Sequence, residues 1–194
     1  MYCIKSKNNR QNAAHLRKEK GENNIIQTPE WLAYKIYDIG RYKIFKLDSN
    51  ITILDPCCGN CILMQPFRSR PDVYDITEID IRYNDMDFFK YSTDNKFDII
   101  VMNPPFSRDK AGKNCWDWVV KAMEHLNDIG YLYAILPDYI LFNSDHRKKQ
   151  LSEWLVYAGS LPKNTFGFQL HTHLCIFTLC KNKTNITMDF IFEE

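Results

Sequence analysis

The sequence predicts a doubly wound α/β domain with a mostly parallel sheet and an antiparallel strand at its C-terminal edge. Short apolar runs of strand type alternate with stretches of helical periodicity, which is the pattern of a parallel sheet covered by helices. Several apolar runs end abruptly in Asp, Asn, Gly or Pro, as strands do before a turn. The last two runs are separated only by the turn-like "KNKTN", which indicates an antiparallel pair.

The elements follow one another from residue 25. Thr28 can cap and Pro29 can open a helix that we expect to end near Gly40. We predict further helices at 116–127 and 147–158. Strands are predicted at 51–55, 73–80, 97–103, 131–137, 173–180 and 186–194. In the helix at 116–127, Trp116 and Trp118 are expected to pack inward and His125 to lie on the surface.

Composition limits the domain organisation and the location of the protein. Residues 1–24 are polar, basic and rich in Asn, so we expect a flexible N-terminal arm, followed by a single domain over 25–194. The net charge of +1 predicts no general affinity for polyanions. The 7 cysteines form no regular framework, and no apolar leader or membrane span is evident. A cytoplasmic protein with reduced thiols and no membrane association is the expectation.

Side chains suited to a nucleoside follow the predicted strands. Asp55 ends the first strand, Gly59 lies in the next turn, and Glu78 ends the second strand. An acid at the end of that second strand typically accepts hydrogen bonds from ribose hydroxyls, and Glu78 and Asp80 both compete for this role. The turn has no G-x-G-x-x-G pattern and therefore no cradle for a pyrophosphate. The sequence therefore predicts a nucleoside cofactor without phosphates.

The tetrad "NPPF", Asn103 to Phe106, follows the third strand, where two prolines stiffen the turn and present the amide of Asn103. With the preceding motifs it resembles the S-adenosylmethionine-dependent adenine-N6 DNA methyltransferases of gamma-type motif order. "DPCCGNC" is similar to their D-P-x-x-G-x-G loop, and "TEID" is similar to the strand with the ribose-binding acid. In that pattern the acid precedes the Ile-Asp pair, so the resemblance favours Glu78 over Asp80. The resemblance implies an S-adenosylmethionine site formed by Thr28, Pro29, Asp55, Pro56, Cys57, Gly59, Glu78, Asp87 and Phe88.

The resemblance also implies how adenine is held. Asn103 and the Pro104 carbonyl would accept hydrogen bonds from the amine, within the catalytic tetrad Asn103, Pro104, Pro105 and Phe106. Phe106 would stack on the base, and Phe166, favoured over Phe168, would supply a second aromatic face. In a duplex the base would have to flip out of the helix. We expect contacts to nucleic-acid phosphates from Arg108, Lys110, Arg147 and Lys148.

Two features depart from the family pattern. Cys61 occupies the place of the second glycine in the loop, where a side chain could weaken cofactor binding. The chain ends after the last predicted strand without a separate target-recognition domain, so a partner subunit, a homodimer, or the short loops and arm would supply recognition. A structured RNA with an unpaired adenine is the alternative to DNA. The motifs are also compatible with methylation of a glutamine amide and with a non-catalytic subunit of a larger complex.

The three cysteines of the loop are candidate ligands for a metal ion. Cys57, Cys58 and Cys61 lie close together in the sequence, with His171 and His173 as further candidate ligands. A structural zinc site needs a second ligand pair at suitable spacing, and the sequence has none. We therefore predict no metal.

Overall fold

The computed structural model describes residues 26–44, 50–80, 86–108, 112–142, 145–167, 170–180 and 186–191. The predicted N-terminal arm lies outside these ranges. The described helices are α1 (Glu30–Ile44), α2 (Gln65–Arg68, after a short 3-10 turn at Ile62–Met64), α3 (Cys115–Met123), α4 (Asp138–Phe142) and α5 (Asp145–Trp154). The described strands are β1 (Ile51–Asp55), β2 (Val73–Glu78), β3 (Phe97–Met102), β4 (Leu126–Pro137), β5 (Leu155–Ser160), β6 (Thr172–Thr178) and β7 (Thr187–Phe190).

All the described strands form one sheet in the order β2-β1-β3-β4-β6-β5-β7. The strands from β2 to β4 pair in parallel, β6 is antiparallel to both β4 and β5, and β7 is parallel to β5. The predicted fold class is confirmed, with its antiparallel region on the C-terminal side of the sheet. The last two strands do not pair with each other, because β5 lies between them.

The strand β5 was missed by the sequence analysis. The predicted helix over 147–158 ends at Trp154, and residues 155–158 enter the sheet between β6 and β7. Leu155, Tyr157 and Ala158 are buried there. Burial between two neighbouring strands outweighs the local helical periodicity, because strand preference depends chiefly on packing in the sheet.

Helix α1 continues past Gly40 to Ile44 instead of ending at Gly40. A Cβ atom at Gly40 would lie 3.0 Å from the hydroxyl oxygen of Tyr133 on β4. The glycine therefore serves close packing of the helix on the sheet and does not terminate the helix.

The sheet separates two apolar layers. On β3, Ile100 and Met102 face the layer that contains α3, whereas Ile99 and Val101 face the layer that contains α1. This alternation is the period of two expected of a strand buried on both faces. Parallel pairing from β2 to β4 brings the carboxyl ends of these strands to the same edge of the sheet.

That edge contains a topological switch point. The chain goes from β1 to β2 on one side of the sheet and then returns to form β3 on the other side of β1. In open α/β sheets, ligands bind in the crevice between the carboxyl ends of such strands. Asp55 ends β1, and Asn103 follows directly after β3.

Candidate functional site

The carboxylate of Asp55 lies buried at the end of β1, in register with Glu78 on β2. Its Oδ1 accepts a hydrogen bond from the backbone N–H of Cys57 over 3.1 Å. Its Oδ2 is also buried and accepts no hydrogen bond within the described part of the chain. Burial raises the pKa of Asp55 to about 8, with smaller upward contributions from the nearby carboxylates of Glu78 and Asp80.

The loop after β1 has the backbone of a glycine loop. Gly59 has φ +54°, and Cys61, in the place of the second glycine, has φ +60°. A non-glycine residue in this left-handed region carries a conformational cost of roughly 1–2 kcal/mol. Cys61 therefore adopts a backbone conformation that favours glycine while carrying a side chain.

Asp80 ties this loop to the end of β2. Its Oδ2 accepts a hydrogen bond from the backbone N–H of Gly59 over 3.1 Å, and the neighbouring Ile79 carbonyl accepts one from Cys58 over 3.1 Å. Asp80 is buried. These contacts give Asp80 a structural role, and they leave the more exposed Glu78 as the better candidate for contact with a ribose.

Glu78 has an arginine partner that the sequence analysis missed. The Nη2 atom of Arg68, at the end of α2, lies 2.6 and 2.7 Å from the two carboxylate oxygens of Glu78. The Glu78 side chain is 21% exposed and that of Arg68 is 50% exposed. The contact depends on the short helix α2 folding back onto β2, and no local sequence pattern signals it.

The amide of Asn103 is fixed in one orientation. Its Nδ2 donates to the Thr28 hydroxyl oxygen over 3.1 Å and to the Ile26 carbonyl over 3.3 Å. A carbonyl can only accept, so the NH2 group must face Ile26. The Oδ1 atom is buried and has no hydrogen-bond partner in the described structure. Asn103 therefore presents an acceptor whose capacity is unused.

The rest of the tetrad is held by residues from other elements. Pro104 is buried and Pro105 is exposed. The Pro105 carbonyl accepts a hydrogen bond from the Cys115 thiol over 3.0 Å, and the Phe106 carbonyl accepts one from the Tyr139 hydroxyl over 2.8 Å. Neither Cys115 nor Tyr139 stands out in the sequence, because each contact joins residues on separate elements.

The two predicted stacking rings are in contact with each other. Phe106 and Phe166 meet edge to face, with ring centroids 5.4 Å apart and an interplanar angle of 82°. Phe106 is half-buried and packs against both apolar layers. The structure thus brings Phe166 to the tetrad, as predicted, whereas Phe168 lies outside the described residues.

Several predicted cofactor residues also lie in or beside the loops at this edge. Cys57 lies between the loop after β1 and the loop after β3, because its thiol is adjacent both to Asp55 and to the backbone N–H of Asn103. Burial raises the pKa of this thiol. Pro56 beside it is buried, and the Pro29 carbonyl accepts hydrogen bonds from the first turn of α1. The Asp87 Oδ1 accepts from the Phe89 N–H over 3.0 Å.

Phe88 is 1% exposed and stacks on Trp118, with ring centroids 5.6 Å apart. This burial places its ring in the core, and its role toward the cofactor stays a prediction.

The inward packing predicted for Trp118 is confirmed, as is that of Trp116, which stacks on Trp154. The prediction that His125 lies on the surface is wrong. His125 follows the end of α3, its ring contacts Phe88, and burial lowers its pKa.

The predicted phosphate contacts are described only in part. The guanidinium of Arg108 is exposed and donates to the Gly112 carbonyl over 2.8 Å. Lys110 and the side chains of Arg147 and Lys148 lie outside the described part of the chain.

Among the residues that are described, no group of three or more His, Cys, Asp or Glu side chains could hold a metal ion. No helix in those same ranges has the length and apolar character needed to cross a membrane.

Comparisons with known proteins bear on the fold and on the class of enzyme. The family model described as the methyltransferase small domain matches residues 73–145. No curated protein matches the sequence significantly. A structure of a putative class I S-adenosylmethionine-dependent methyltransferase from Listeria monocytogenes superposes with a TM-score of 0.68 at 16% identity, over 92% of this chain and 71% of that one.

Two further structures come from restriction-modification systems. The type I methyltransferase subunit from Streptococcus thermophilus matches with a TM-score of 0.63 at 20% identity, over 85% of this chain and 46% of its own. A modification subunit of a putative type I restriction enzyme from Vibrio vulnificus YJ016 matches with a TM-score of 0.65 at 13% identity, over 96% and 51%. The chain thus spans about half the length of these two subunits. Its fold is that of the Rossmann-like methyltransferases, and the family match over residues 73–145 is to a methyltransferase domain.

Proposed function

We propose that this protein transfers a methyl group from S-adenosylmethionine to the exocyclic N6 amine of adenine in DNA. The observation that carries the proposal is the amide of Asn103. Its Nδ2 is engaged by Thr28 and Ile26, while its buried Oδ1 has no partner in the described structure. A buried acceptor without a donor is costly, so it indicates that a ligand supplies an N–H group there. An adenine amine has such a group.

The residues at the ends of β1 and β2 fit the cofactor. Asp55 offers a second buried oxygen without a donor, suited to a positively charged or N–H-bearing ligand, and Glu78 offers a partly exposed carboxylate for ribose hydroxyls. Gly59 provides a turn with a positive φ and no Cβ, where a ligand can approach the backbone. When bound, S-adenosylmethionine supplies a methyl group already activated by the sulfonium charge.

The tetrad then has a positioning task. The adenine amine is a weak nucleophile because its lone pair is delocalised into the ring, so the residues must orient it and stabilise the positive charge it develops. Asn103 Oδ1 accepts one N–H of the amine, and the Pro104 carbonyl accepts the other. Phe106 stacks on the base, and Phe166 moves from its edge-to-face contact to cover the opposite side. Once methylated, the amine would carry a positive charge and lose one N–H proton to water, so no strong general base is needed.

DNA is the substrate that the comparisons favour, because two of the similar structures are subunits of restriction-modification systems. A duplex target would have to flip its adenine into the site. Arg108, Lys110, Arg147 and Lys148, for which the sequence predicts phosphate contacts, would bind the nucleic-acid backbone. We further propose that a partner subunit or a second copy supplies target recognition, and that the protein acts in the cytoplasm.

The test is methyl transfer from labelled S-adenosylmethionine to duplex DNA, single-stranded DNA and total RNA in parallel, followed by nucleoside analysis. The expected product is N6-methyladenine in DNA. Asn103→Ala should abolish transfer while cofactor affinity, measured by calorimetry, changes little. Label in RNA alone would overturn the DNA assignment. Full turnover by Asn103→Ala would contradict the mechanism, and cofactor binding without transfer to any nucleic acid would favour a protein substrate or a missing subunit.

A further inference from the structure

Two side chains outside the tetrad hold its backbone. The Cys115 thiol donates to the Pro105 carbonyl over 3.0 Å, and the Tyr139 hydroxyl donates to the Phe106 carbonyl over 2.8 Å. The thiol and the hydroxyl also lie 3.9 Å from each other. The two donors therefore form one cluster on the second half of the tetrad, which we call the carbonyl clamp.

The chemistry of the tetrad explains why such a clamp is needed. Pro104 and Pro105 have no backbone N–H, so this part of the loop cannot be tied to the protein through its own donors. Its carbonyls are the backbone groups that remain for hydrogen bonding, and they require donors from elsewhere. The clamp supplies a donor to each of two successive carbonyls.

Both members of the clamp come from well-anchored helix starts. Cys115 is the first residue of α3, is 0% exposed, and follows Asn114, which forms a capping box with Asp117. Tyr139 lies in the first turn of α4. Its neighbour Asp138 donates its backbone N–H to the His171 carbonyl over 3.0 Å and bonds the His173 ring with its carboxylate. The other neighbour, Ile140, is 0% exposed.

We propose that Tyr139 is a positioning residue for methyl transfer, acting with Cys115 to fix the ring of Phe106 and the amide of Asn103 relative to the target amine. The effect on turnover rests on the proposed function, whereas the hold on the loop does not. A small displacement of reacting groups costs rate even when binding is intact. Loss of the Tyr139 hydroxyl should therefore reduce the rate of transfer more than the affinity for either ligand.

The test uses Tyr139→Phe, which keeps the ring and removes only the donor. Hydrogen exchange on the free protein should become faster in the amides of residues 106–108 and stay unchanged in the strands. We expect kcat to fall by about tenfold, with the cofactor Kd and the substrate KM within about twofold of wild type. Tyr157→Phe is the matched control, because its hydroxyl faces Asp189 at 3.5 Å, between β5 and β7.

Cys115 provides an independent test. Cys115→Ser keeps a donor and should retain most of the activity, whereas Cys115→Ala removes the donor and should resemble Tyr139→Phe in both measurements. Unchanged exchange at residues 106–108 in Tyr139→Phe, or an unchanged kcat, would overturn the positioning role. A parallel loss of kcat, ligand affinity and melting temperature would also overturn it, because it would indicate general destabilisation. A wild-type protein inactive on every nucleic acid would make methyl transfer depend on a missing subunit or a protein substrate, and the exchange comparison would still decide whether the clamp holds the loop.

Discussion

The Nδ2 group of Asn103 donates a hydrogen bond to the Thr28 hydroxyl over 3.1 Å, across 75 positions of the sequence. Thr28 precedes α1, whereas Asn103 follows β3. The contact joins Thr28, a residue of the predicted cofactor motif, to the amide of Asn103 in the predicted catalytic tetrad. It gives Thr28 a role in orienting Asn103.

Replacing Thr28 with Val should reduce kcat by about tenfold, because the amide of Asn103 then loses one of its two acceptors and can rotate. Thr28→Ser keeps the hydroxyl and should be close to wild type. Single-turnover rates measure the effect of Thr28 on the orientation of Asn103, and calorimetry with the cofactor measures its effect on cofactor binding. If cofactor affinity falls while kcat is unchanged, Thr28 acts on the cofactor and not on Asn103.

Replacing Cys61 with Gly should tighten cofactor binding. The residue already has φ +60°, so glycine accepts the same backbone without strain. The Cys61 thiol also interacts with the carboxylate of Glu78, the expected partner of the ribose. Glycine relieves the backbone strain of the folded state but also raises the conformational entropy of the unfolded chain. These effects oppose each other, so the free energy of unfolding should change by no more than about 1 kcal/mol.

Calorimetry with S-adenosylhomocysteine on Cys61→Gly and Cys61→Ala identifies the cause. Both variants remove the thiol, but only glycine removes the Cβ atom. Equal gains would assign the effect to the thiol, and a gain with glycine alone would assign it to the Cβ atom and the backbone. Weaker binding by Cys61→Gly would show that the cysteine side chain contributes to the site.

The sequence was informative about the candidate site where its residues lie at the end of a strand. Asp55, Glu78 and Asn103 follow apolar runs whose strand character is unmistakable, and parallel pairing brings such ends to one edge. The edge-to-face contact of Phe106 with Phe166 brings together two rings that the sequence predicts for one site. These residues could be found because strand ends and turn residues leave local patterns.

The contacts that hold these residues in place could not be predicted in this way. Arg68 reaches Glu78 only because α2 folds back onto β2, and Tyr139 reaches Phe106 only because α4 starts at the end of β4. The strand β5 could not be predicted either, because its residues continue the helical spacing of α5. They form a strand through pairing with β6 and β7. Each of these features arises from tertiary packing.

The ion pair of Arg68 with Glu78 should compete with the cofactor. Both carboxylate oxygens of Glu78 contact one guanidinium nitrogen, which leaves fewer acceptor sites for ribose hydroxyls. Exposed ion pairs contribute about 0–1 kcal/mol, so Arg68→Gln should tighten S-adenosylhomocysteine binding by at most about fivefold. Lys121→Gln is the charge-matched control, because Lys121 on α3 pairs with Glu124, the residue that follows the helix.

Salt gives a second measure of the same competition. Added salt screens the exposed ion pair, so wild-type affinity should approach that of Arg68→Gln as ionic strength rises. Glu78→Ala should weaken binding at every salt concentration. If Arg68→Gln weakens binding instead, the arginine orients Glu78 for the ribose and does not compete with it.

The buried carboxyl of Asp55 should make cofactor binding depend on pH. Its pKa in the folded protein is raised to about 8, so the carboxyl is largely protonated at neutral pH. A cationic cofactor favours the ionised carboxylate, and its binding below pH 8 should therefore release a proton. Affinity for S-adenosylmethionine should rise with pH up to about 8 and then level off. Calorimetry in buffers of different ionisation enthalpy measures the proton released.

The same carboxyl should make the free protein less stable as the pH rises. The pKa of Asp55 is 3.8 when unperturbed and about 8 in the folded state, so between these values the unfolded chain ionises while the folded chain stays protonated. The unfolded state then binds fewer protons, and the free energy of unfolding falls from about pH 4 to about pH 8 and is flat above that range. Asp55→Asn should remove this slope, stabilise the free protein at pH 8 and weaken cofactor binding. Asp75→Asn, an exposed change on β2, should do none of these. An unchanged slope in Asp55→Asn would show that another group is responsible.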